Sequence, residues 1–271
     1  MSRIAEHAPG LSAILWDVDG TLAETERDGH RIAFNQAFEA LRVPWRWDER
    51  RYGELLEVTG GRERLLHDMR DQPEAPRAAE DREALAALVH ALKNERYARI
   101  VASGALPLRP GVLELMDDCA REGLRMGVVT TTSRINVGAL LTPHLGAAWE
   151  SAFAVVVTAQ EAPRKKPDPQ AYHQALERLG LPAAAALAIE DSPAGVAAAR
   201  AAGVPVLVTR SVYFASRPVP GALAVGPSLA SRAGWQPPAA AGGAAPDRID
   251  LAQIRQWHAR AAAYDVPSAS A

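Results

Sequence analysis

Cysteine is almost absent from this sequence, which has a single one, Cys119, among 271 residues. One thiol excludes an internal disulfide framework and a metal site built from several thiolates. Its neighbours Leu113, Leu115 and Met116 indicate a helix. We therefore predict that Cys119 is a small buried helix residue rather than a reactive one.

Two further features are missing: an excess of charge of one sign and a long apolar run. Lysine and arginine number 30 against 32 aspartates and glutamates, for a net charge of -2. General binding to nucleic acid or to an anionic membrane is therefore not expected. No stretch reaches the roughly 18 apolar residues of a membrane span, and Glu6 and His7 stand where a signal peptide needs an apolar run. We expect a cytoplasmic protein; the sequence does not determine its oligomeric state, and we favour a monomer.

Apolar residues, by contrast, are plentiful, at 48% of the chain. A chain of this length can bury a full core, as one large domain or as one domain with a smaller insertion. After a strand candidate at 11–18, three segments show helical spacing with no strand pattern between them. These segments are 30–41, 55–69 and 82–101. We predict an all-helical insertion over 25–103 that interrupts a core made of 1–24 and 104–271.

From residue 106 the pattern alternates between helices and strands. Four more strands are predicted, at 124–129, 152–158, 184–189 and 204–209. Helices are predicted at 112–122, 169–179 and 193–202. Five strands with helical crossovers give a parallel sheet covered on both faces, so the fold class is α/β. After residue 214 the pattern fades; 237–246 is an Ala/Gly/Pro linker, and 247–271 a terminal helix and tail.

Polar side chains cluster at the predicted strand ends. They are Asp17 with Asp19, the run Thr130 to Ser133, Lys165 with Lys166, and Glu190 with Asp191. Parallel strands place these ends along one edge of the sheet. Taken singly, the groups fit a turn, a helix cap or solvated charge equally well. Together they favour a phosphate site, because the carboxylates suit Mg²⁺ and the hydroxyls and lysine suit phosphate oxygens.

These motifs resemble those of the haloacid dehalogenase superfamily of phosphotransferases. The run Asp17 to Leu22 matches its first motif, Thr130 the second, Lys166 before Pro167 the third, and Glu190 with Asp191 the fourth. The resemblance implies a Rossmann-like parallel sheet core with an inserted all-helical cap domain. Three stretches also resemble the CbbY-type sugar-phosphate phosphatases, relatives of β-phosphoglucomutase. They are 22–26, 59–64 and 130–133.

The resemblance implies a role for each motif residue. Asp17 is the nucleophile that forms an aspartyl-phosphate, and Asp19 is the general acid and base. Lys166 and Thr130 hold the phosphoryl group. The Mg²⁺ ligands are Asp17, the main-chain oxygen of Asp19, and Asp191, with Glu190 as a further ligand or a support. An ordinary aspartate has a pKa of about 3.9, so we expect the surroundings of Asp19 to raise its pKa.

We therefore interpret the insertion as a cap that closes over the site and selects the substrate. Two groups are predicted to bind the substrate, Thr131, Thr132 and Ser133 on the core, and Glu26, Gly60, Gly61, Arg62, Glu63 and Arg64 on the cap. Lys166 and the two cap arginines form separate basic centres, which suits a substrate with two anionic ends. A sugar bisphosphate is therefore expected, and the resemblance suggests xylulose 1,5-bisphosphate.

Two other functions stay open at this point. A phosphomutase resembling β-phosphoglucomutase uses the same aspartyl-phosphate but returns the phosphoryl group to a sugar. A sugar-phosphate sensor binds the same ligand without chemistry. Phosphate release identifies the phosphatase, isomerised sugar phosphate without free phosphate identifies the phosphomutase, and a sensor gives neither product.

Overall fold

The structure, a computed structural model, describes residues 10–104, 106–240 and 247–264. Its centre is a sheet of six parallel strands in the order β3-β2-β1-β4-β5-β6. The strands are β1 (Ala13–Trp16), β2 (Arg125–Val129), β3 (Val155–Val157), β4 (Ala186–Glu190), β5 (Val206–Thr209) and β6 (Ala224–Gly226). β1 and β4 are buried at every residue, because both faces of a parallel sheet are covered. The predicted α/β class is confirmed.

Only helices lie between β1 and the return of the chain to the core, over the described residues 25–104. They are a π-helix (Glu26–His30), α1 (Arg31–Ala40), α2 (Glu49–Leu55), α3 (Gly61–Asp68) and α4 (Ala79–Ala102). Packed aromatic side chains form a separate core there, with Phe34 and Trp47 ring centres 4.7 Å apart. The predicted helical insertion is thus present, while its exact domain boundaries at 25 and 103 stay a prediction.

Among the described residues, five α-helices flank the sheet. They are α5 (Val112–Arg121), α6 (Arg134–Leu145), α7 (Gln170–Leu179), α8 (Pro193–Ala201) and α9 (Leu251–Tyr264). Side chains of β1 alternate between two apolar clusters, with Ile14 and Trp16 on one face and Ala13 and Leu15 on the other. This alternation follows from the two-residue period of a strand. Cys119 lies on α5 with 0% exposure, as predicted.

The end of the chain adds more to the core than the sequence suggested. The expectation of five strands is wrong, because β6 is a sixth, and β1 and β3 are shorter than predicted. The α9 helix packs on the core through Ile254 and Trp257, whose ring lies 4.8 Å from that of Trp235. Much of the expected linker, 241–246, and the tail 265–271 lie outside the described residues. None of the described helices has both the length and the apolar composition to cross a membrane.

Candidate active site

The carboxyl edge of the sheet brings together the residues predicted from four strand ends. Asp17 follows β1, Thr130 follows β2, and Glu190 ends β4, with Asp191 next to it. β1 lies between β2 and β4 in register, with Trp16 opposite both Val128 and Ile189. The loop after β3 carries Lys166 to the same place, where it is 5% exposed. The motif residues therefore form one buried polar group.

Lys166 bridges two carboxylates of this group. Its ammonium lies 2.7 Å from Asp17 Oδ1 and 2.6 Å from Glu190 Oε1, and it donates to the Val129 carbonyl at 2.8 Å. Burial alone would lower the pKa of Lys166, but Asp17 and Glu190 raise it above its ordinary value. The lysine therefore stays charged at neutral pH and keeps a positive centre beside the nucleophile candidate.

Asp17, Glu190 and Asp191 offer oxygens that all lie within 4.8 Å of one another. Burial, opposed by Lys166 and reinforced by Glu190, raises the pKa of Asp17 to about 7. Burial and the Asp17 carboxylate raise the pKa of Asp191 well above its usual range. Glu190 Oε2 is buried without a hydrogen-bond partner. Crowded, buried oxygen donors of this kind fit a hard divalent cation such as Mg²⁺.

Local sequence explains how these carboxylates pack so closely. Gly20 has a φ of +86°, and a Cβ there would lie 2.0 Å from Asp191 Oδ2. Gly195 contacts Glu190 in the same way, since a Cβ would lie 1.8 Å from Oε2. Ser211, after β5, donates to Asp191 Oδ2 at 2.6 Å. Two glycines and one hydroxyl thus fix the carboxylates of the cluster.

Asp19 turns away from this cluster toward the insertion. Its Oδ1 accepts from Thr25 Oγ1 at 2.6 Å and lies 3.0 Å from His30 Nε2. Burial would raise the pKa of Asp19, but His30, Thr25 and Lys93 together lower it. The expectation of a raised pKa is therefore wrong for this arrangement, because a hydroxyl and a histidine, rather than a carboxylate, contact Asp19 Oδ1.

The Thr130 run connects β2 to α6. Thr130 is buried, and its hydroxyl accepts from the Thr132 amide at 3.2 Å. Ser133 caps α6 by accepting from the Asn136 amide at 3.3 Å. Asn136 donates back to Thr132 Oγ1 at 3.1 Å. The run therefore places hydroxyl groups at the N-terminus of α6, where the amides of Arg134 and Asn136 already donate to Gln160 Oε1 and Ser133 Oγ.

Two adjoining cavities lie between the insertion and the core. The smaller, of 90 Å³, is lined by the motif residues Asp17, Asp19, Thr131, Lys166 and Asp191 and by the insertion residues Glu26, Gly60 and Arg64. The larger, of 420 Å³, is also lined by Asp19, Glu26, Gly60, Arg64 and Thr131, and in addition by Gly61, Thr132 and Ser133. The shared residues make the two cavities one continuous space, with the carboxylate cluster at one end.

The cap residues predicted to bind substrate divide into two sets. Arg64 is 5% exposed and donates to Tyr52 Oη at 2.8 Å, and Tyr52 donates to Glu26. Arg62 instead pairs with Glu83 at 2.6 Å, with half of its side chain exposed, and lines neither cavity. Glu63 also lies outside both cavities, where it pairs with Lys165. Arg64 and Glu26 therefore face the site, and Arg62 and Glu63 do not.

Lys93, Asn136 and Ser211 are among the residues of the site that were not predicted. Lys93 and Asn136 line the larger cavity, and Ser211 holds Asp191. Lys93 is 4% exposed, and burial lowers its pKa to about 8. Its only sequence signal was a lysine on the helical face that also carries Tyr97.

Comparison with known proteins agrees with this geometry. Residues 11–203 match the family described as haloacid dehalogenase-like hydrolase. The plasmid-encoded protein CbbY of Cupriavidus necator is 46% identical over 249 residues, which cover 92% of this chain and 97% of that protein. A crystal structure of a CbbY mutant from Rhodobacter sphaeroides, in complex with xylulose-(1,5)-bisphosphate, has a TM-score of 0.76 at 36% identity and covers 90% of this chain and 99% of that one.

A β-phosphoglucomutase structure from Clostridium difficile is more distant. It has a TM-score of 0.62 at 20% identity, covers 80% of this chain and 91% of that one, and so shows the fold alone. The family match and the CbbY matches extend over the strand-end motifs and over the helical insertion. The chain therefore belongs to the haloacid dehalogenase-like hydrolase family and is an enzyme of its phosphatase type.

Proposed function

We propose that this enzyme is a Mg²⁺-dependent sugar-phosphate phosphatase that acts through an aspartyl-phosphate on a sugar bisphosphate, with xylulose 1,5-bisphosphate as the substrate. One observation carries the proposal: cationic side chains lie at two separated places in one continuous cavity. Lys166 stands beside Asp17 in the smaller cavity, Lys93 and Lys165 line the larger one, and Arg64 lines both. The sugar bisphosphate complex of the Rhodobacter sphaeroides CbbY supports the same assignment.

In this mechanism Asp17 attacks the phosphorus atom and Lys166 holds the phosphoryl oxygens. Thr130 and the Thr131 amide complete their binding. Asp17, Asp191 and the Asp19 main-chain oxygen would hold Mg²⁺, with Glu190 as a further ligand or a support. The ion supplies charge neutralisation for the phosphoryl group.

Asp19 is the proposed proton carrier. It protonates the sugar oxygen as the phosphate ester breaks, and then takes a proton from the water that hydrolyses the aspartyl-phosphate. Its contacts with Thr25 and His30 hold its carboxylate where the two cavities meet, since Asp19 lines both, and a sugar would lie in the larger one. A group that must serve both half-reactions needs this position between cluster and sugar.

The second phosphate would bind at the far end of the larger cavity. Thr132, Ser133 and Asn136 stand there at the start of α6, together with Lys165 and Lys93. A helix N-terminus and two ammonium groups together favour a dianion. Because Arg62 lines neither cavity, Arg64 and Lys93 replace it as the cap cations of the proposal.

Phosphate release from a panel of mono- and bisphosphorylated sugars, with and without Mg²⁺, tests the proposal. We expect release that requires Mg²⁺, that is much faster for bisphosphates, and that disappears in Asp17→Asn. Equal turnover of both classes would contradict the bisphosphate assignment. Isomerised sugar phosphate without free phosphate would identify a phosphomutase, and binding without either product would identify a sensor.

Three expectations of the sequence stay predictions. They are the cytoplasmic location, the monomeric state and the domain boundaries at residues 24–25 and 103–104. Size-exclusion chromatography coupled to light scattering measures the oligomeric state directly.

A further inference from the structure

Arg109 is a buried arginine outside the motifs. It stands where the chain returns from the insertion to the core, three residues before α5, and its side chain is 9% exposed. Its own backbone amide donates to the Leu22 carbonyl at 2.7 Å, next to the point where the chain enters the insertion. The residue therefore lies at the base of both connections between core and insertion.

The guanidinium of Arg109 joins three loops at the carboxyl edge of the sheet. One nitrogen donates to the Gly20 carbonyl after β1 and to the Thr209 carbonyl and hydroxyl, at 3.0 and 3.2 Å, at the end of β5. The other donates to the Arg210 carbonyl at 2.6 Å and to the Pro227 carbonyl, after β6, at 3.0 Å. Its Nε also lies 3.5 Å from Glu24 Oε1, but the hydrogen-bond acceptors are main-chain carbonyls and one hydroxyl, so the arginine acts mainly as a cross-link.

Two of these loops carry residues of the site. Gly20 directly follows Asp19, and Arg210 directly precedes Ser211, which donates to Asp191 Oδ2 at 2.6 Å. Displacing either loop would move a group proposed to hold the metal. A lysine has three donors on one atom and cannot reproduce a planar fork of this kind.

We propose that Arg109 is a positioning residue for the phosphatase reaction. It locks the turn at Gly20 against the loop of Ser211, and so sets the spacing of Asp19 and Asp191. The role in the reaction rests on the proposed function, whereas the positioning of the carboxylates does not. Residues that orient metal ligands commonly change affinity or activity by about 10–100-fold when they are replaced.

The test compares Arg109→Lys with Arg232→Lys in the full chain. Arg232 is a matched control, because its side chain is 12% exposed and bonds to the Ala240 carbonyl, Gln253 and Asp250, none of which belongs to the site. Calorimetry measures the binding of Mn²⁺. Steady-state kinetics gives kcat and KM on the sugar phosphate of the panel that the parent enzyme hydrolyses best. Thermal unfolding verifies that each variant is folded.

For Arg109→Lys we expect the Mn²⁺ dissociation constant to rise and kcat to fall, each by about 10–100-fold. KM should change little, because the residues that line the larger cavity are not altered. Arg232→Lys should leave the Mn²⁺ affinity and kcat unchanged. Parental Mn²⁺ affinity in Arg109→Lys, or the same loss in Arg232→Lys, would overturn the proposal.

A second variant covers the case in which Arg109→Lys does not fold. Ser211→Ala keeps the guanidinium and removes only the hydroxyl that its loop presents to Asp191, so the Mn²⁺ dissociation constant should again rise. An unchanged constant would overturn the proposal by itself. If the parent enzyme releases no phosphate from any sugar, the proposed function fails, while the Mn²⁺ comparison still decides the role of Arg109.

Discussion

Lys93 gives the sharpest quantitative prediction, because it is a buried cation without an ion-pair partner among the described residues. Its ammonium lies 3.4 Å from Asn94 Oδ1 and 5.2 Å from the ring centres of Phe34 and Tyr97. Burial lowers its pKa from 10.5 to about 8, even though Glu26 and Asp19 act in the opposite direction. The fold thus stabilises this charge only in part, which is expected where a substrate supplies the missing anion.

Lys93→Met should therefore stabilise the protein and weaken the enzyme. At about 1.4 kcal/mol per pKa unit, the change from 10.5 to about 8 corresponds to about 3 kcal/mol of destabilisation by the charged lysine. Methionine has a similar length and no charge, so this cost disappears. Loss of a charge-assisted contact to substrate should cost about 1.5–3 kcal/mol, or roughly a 10–100-fold lower kcat/KM.

The stability gain depends on pH in a defined direction. Below pH 8 the lysine is charged in both the folded and the unfolded chain, so the full cost applies. As the pH rises from about 8 to 10.5, the folded protein loses the proton first and the cost fades. The difference between Lys93→Met and the parent should therefore be largest near pH 7 and shrink toward pH 10.5.

Urea unfolding at several pH values and kinetics on the sugar panel measure both effects. Lys165→Met is the matched control: Lys165 lines the same cavity, but it is partly exposed and pairs with Glu63. An exposed pair of this kind contributes little, so the control should gain no stability. A Lys93→Met protein that is no more stable than the parent, or that keeps full activity on bisphosphates, would refute the reasoning.

Three further predictions test the packing of the site. Gly20→Ala should abolish activity, because its Cβ would lie 2.0 Å from Asp191 Oδ2. Gly123→Ala is the control: it also has a positive φ, but its Cβ would meet nothing within 4 Å, so it should only lose about 1 kcal/mol of stability. Equal activities of the two variants would contradict this packing. Arg64→Lys should raise KM for the sugar phosphate more than Arg62→Lys does, since only Arg64 lines the cavity. A larger KM for Arg62→Lys in steady-state kinetics would exclude Arg64 as the cap arginine that binds substrate. Cys119 should not react with a thiol reagent until the protein unfolds, because burial raises its pKa to about 12; rapid labelling of the native enzyme would show otherwise.

The carboxyl edge of the sheet was predictable because buried parallel strands are apolar runs that end where polar residues begin. Asp17 and Glu190 each follow such a run, and register brings the ends of β1 and β4 side by side. The last strand was missed because β6, Ala224–Gly226, lies in a stretch interrupted by proline and glycine, whereas the equally short β3 lies within the apolar run 152–157. The terminal helix itself was predicted, and α9 packs on the core.

The cap residues were harder to predict because side-chain direction decides their role. Arg62 and Arg64 are two residues apart on α3, so they point to nearly opposite sides of the helix. One pairs with Glu83 in solvent, and the other is buried against Tyr52. Lys93 looked like any charged residue of a long helix. Only the packing of α4 against α1 and the π-helix brings it close to Asp19 and Glu26.

Asp17 and Asp19 have pKa shifts opposite to those that their proposed roles require. The nucleophile must be ionised, yet burial raises the pKa of Asp17 to about 7, while the proton carrier Asp19 has a lowered pKa. A cation among Asp17, Glu190 and Asp191 favours their ionised forms, so metal binding corrects the first mismatch. A phosphate beside Asp19 disfavours its charge, as does any substrate that separates it from His30. With a pKa of about 7, Asp17 is already partly ionised at neutral pH, and bound metal and substrate would shift both aspartates toward the protonation states that their proposed roles require.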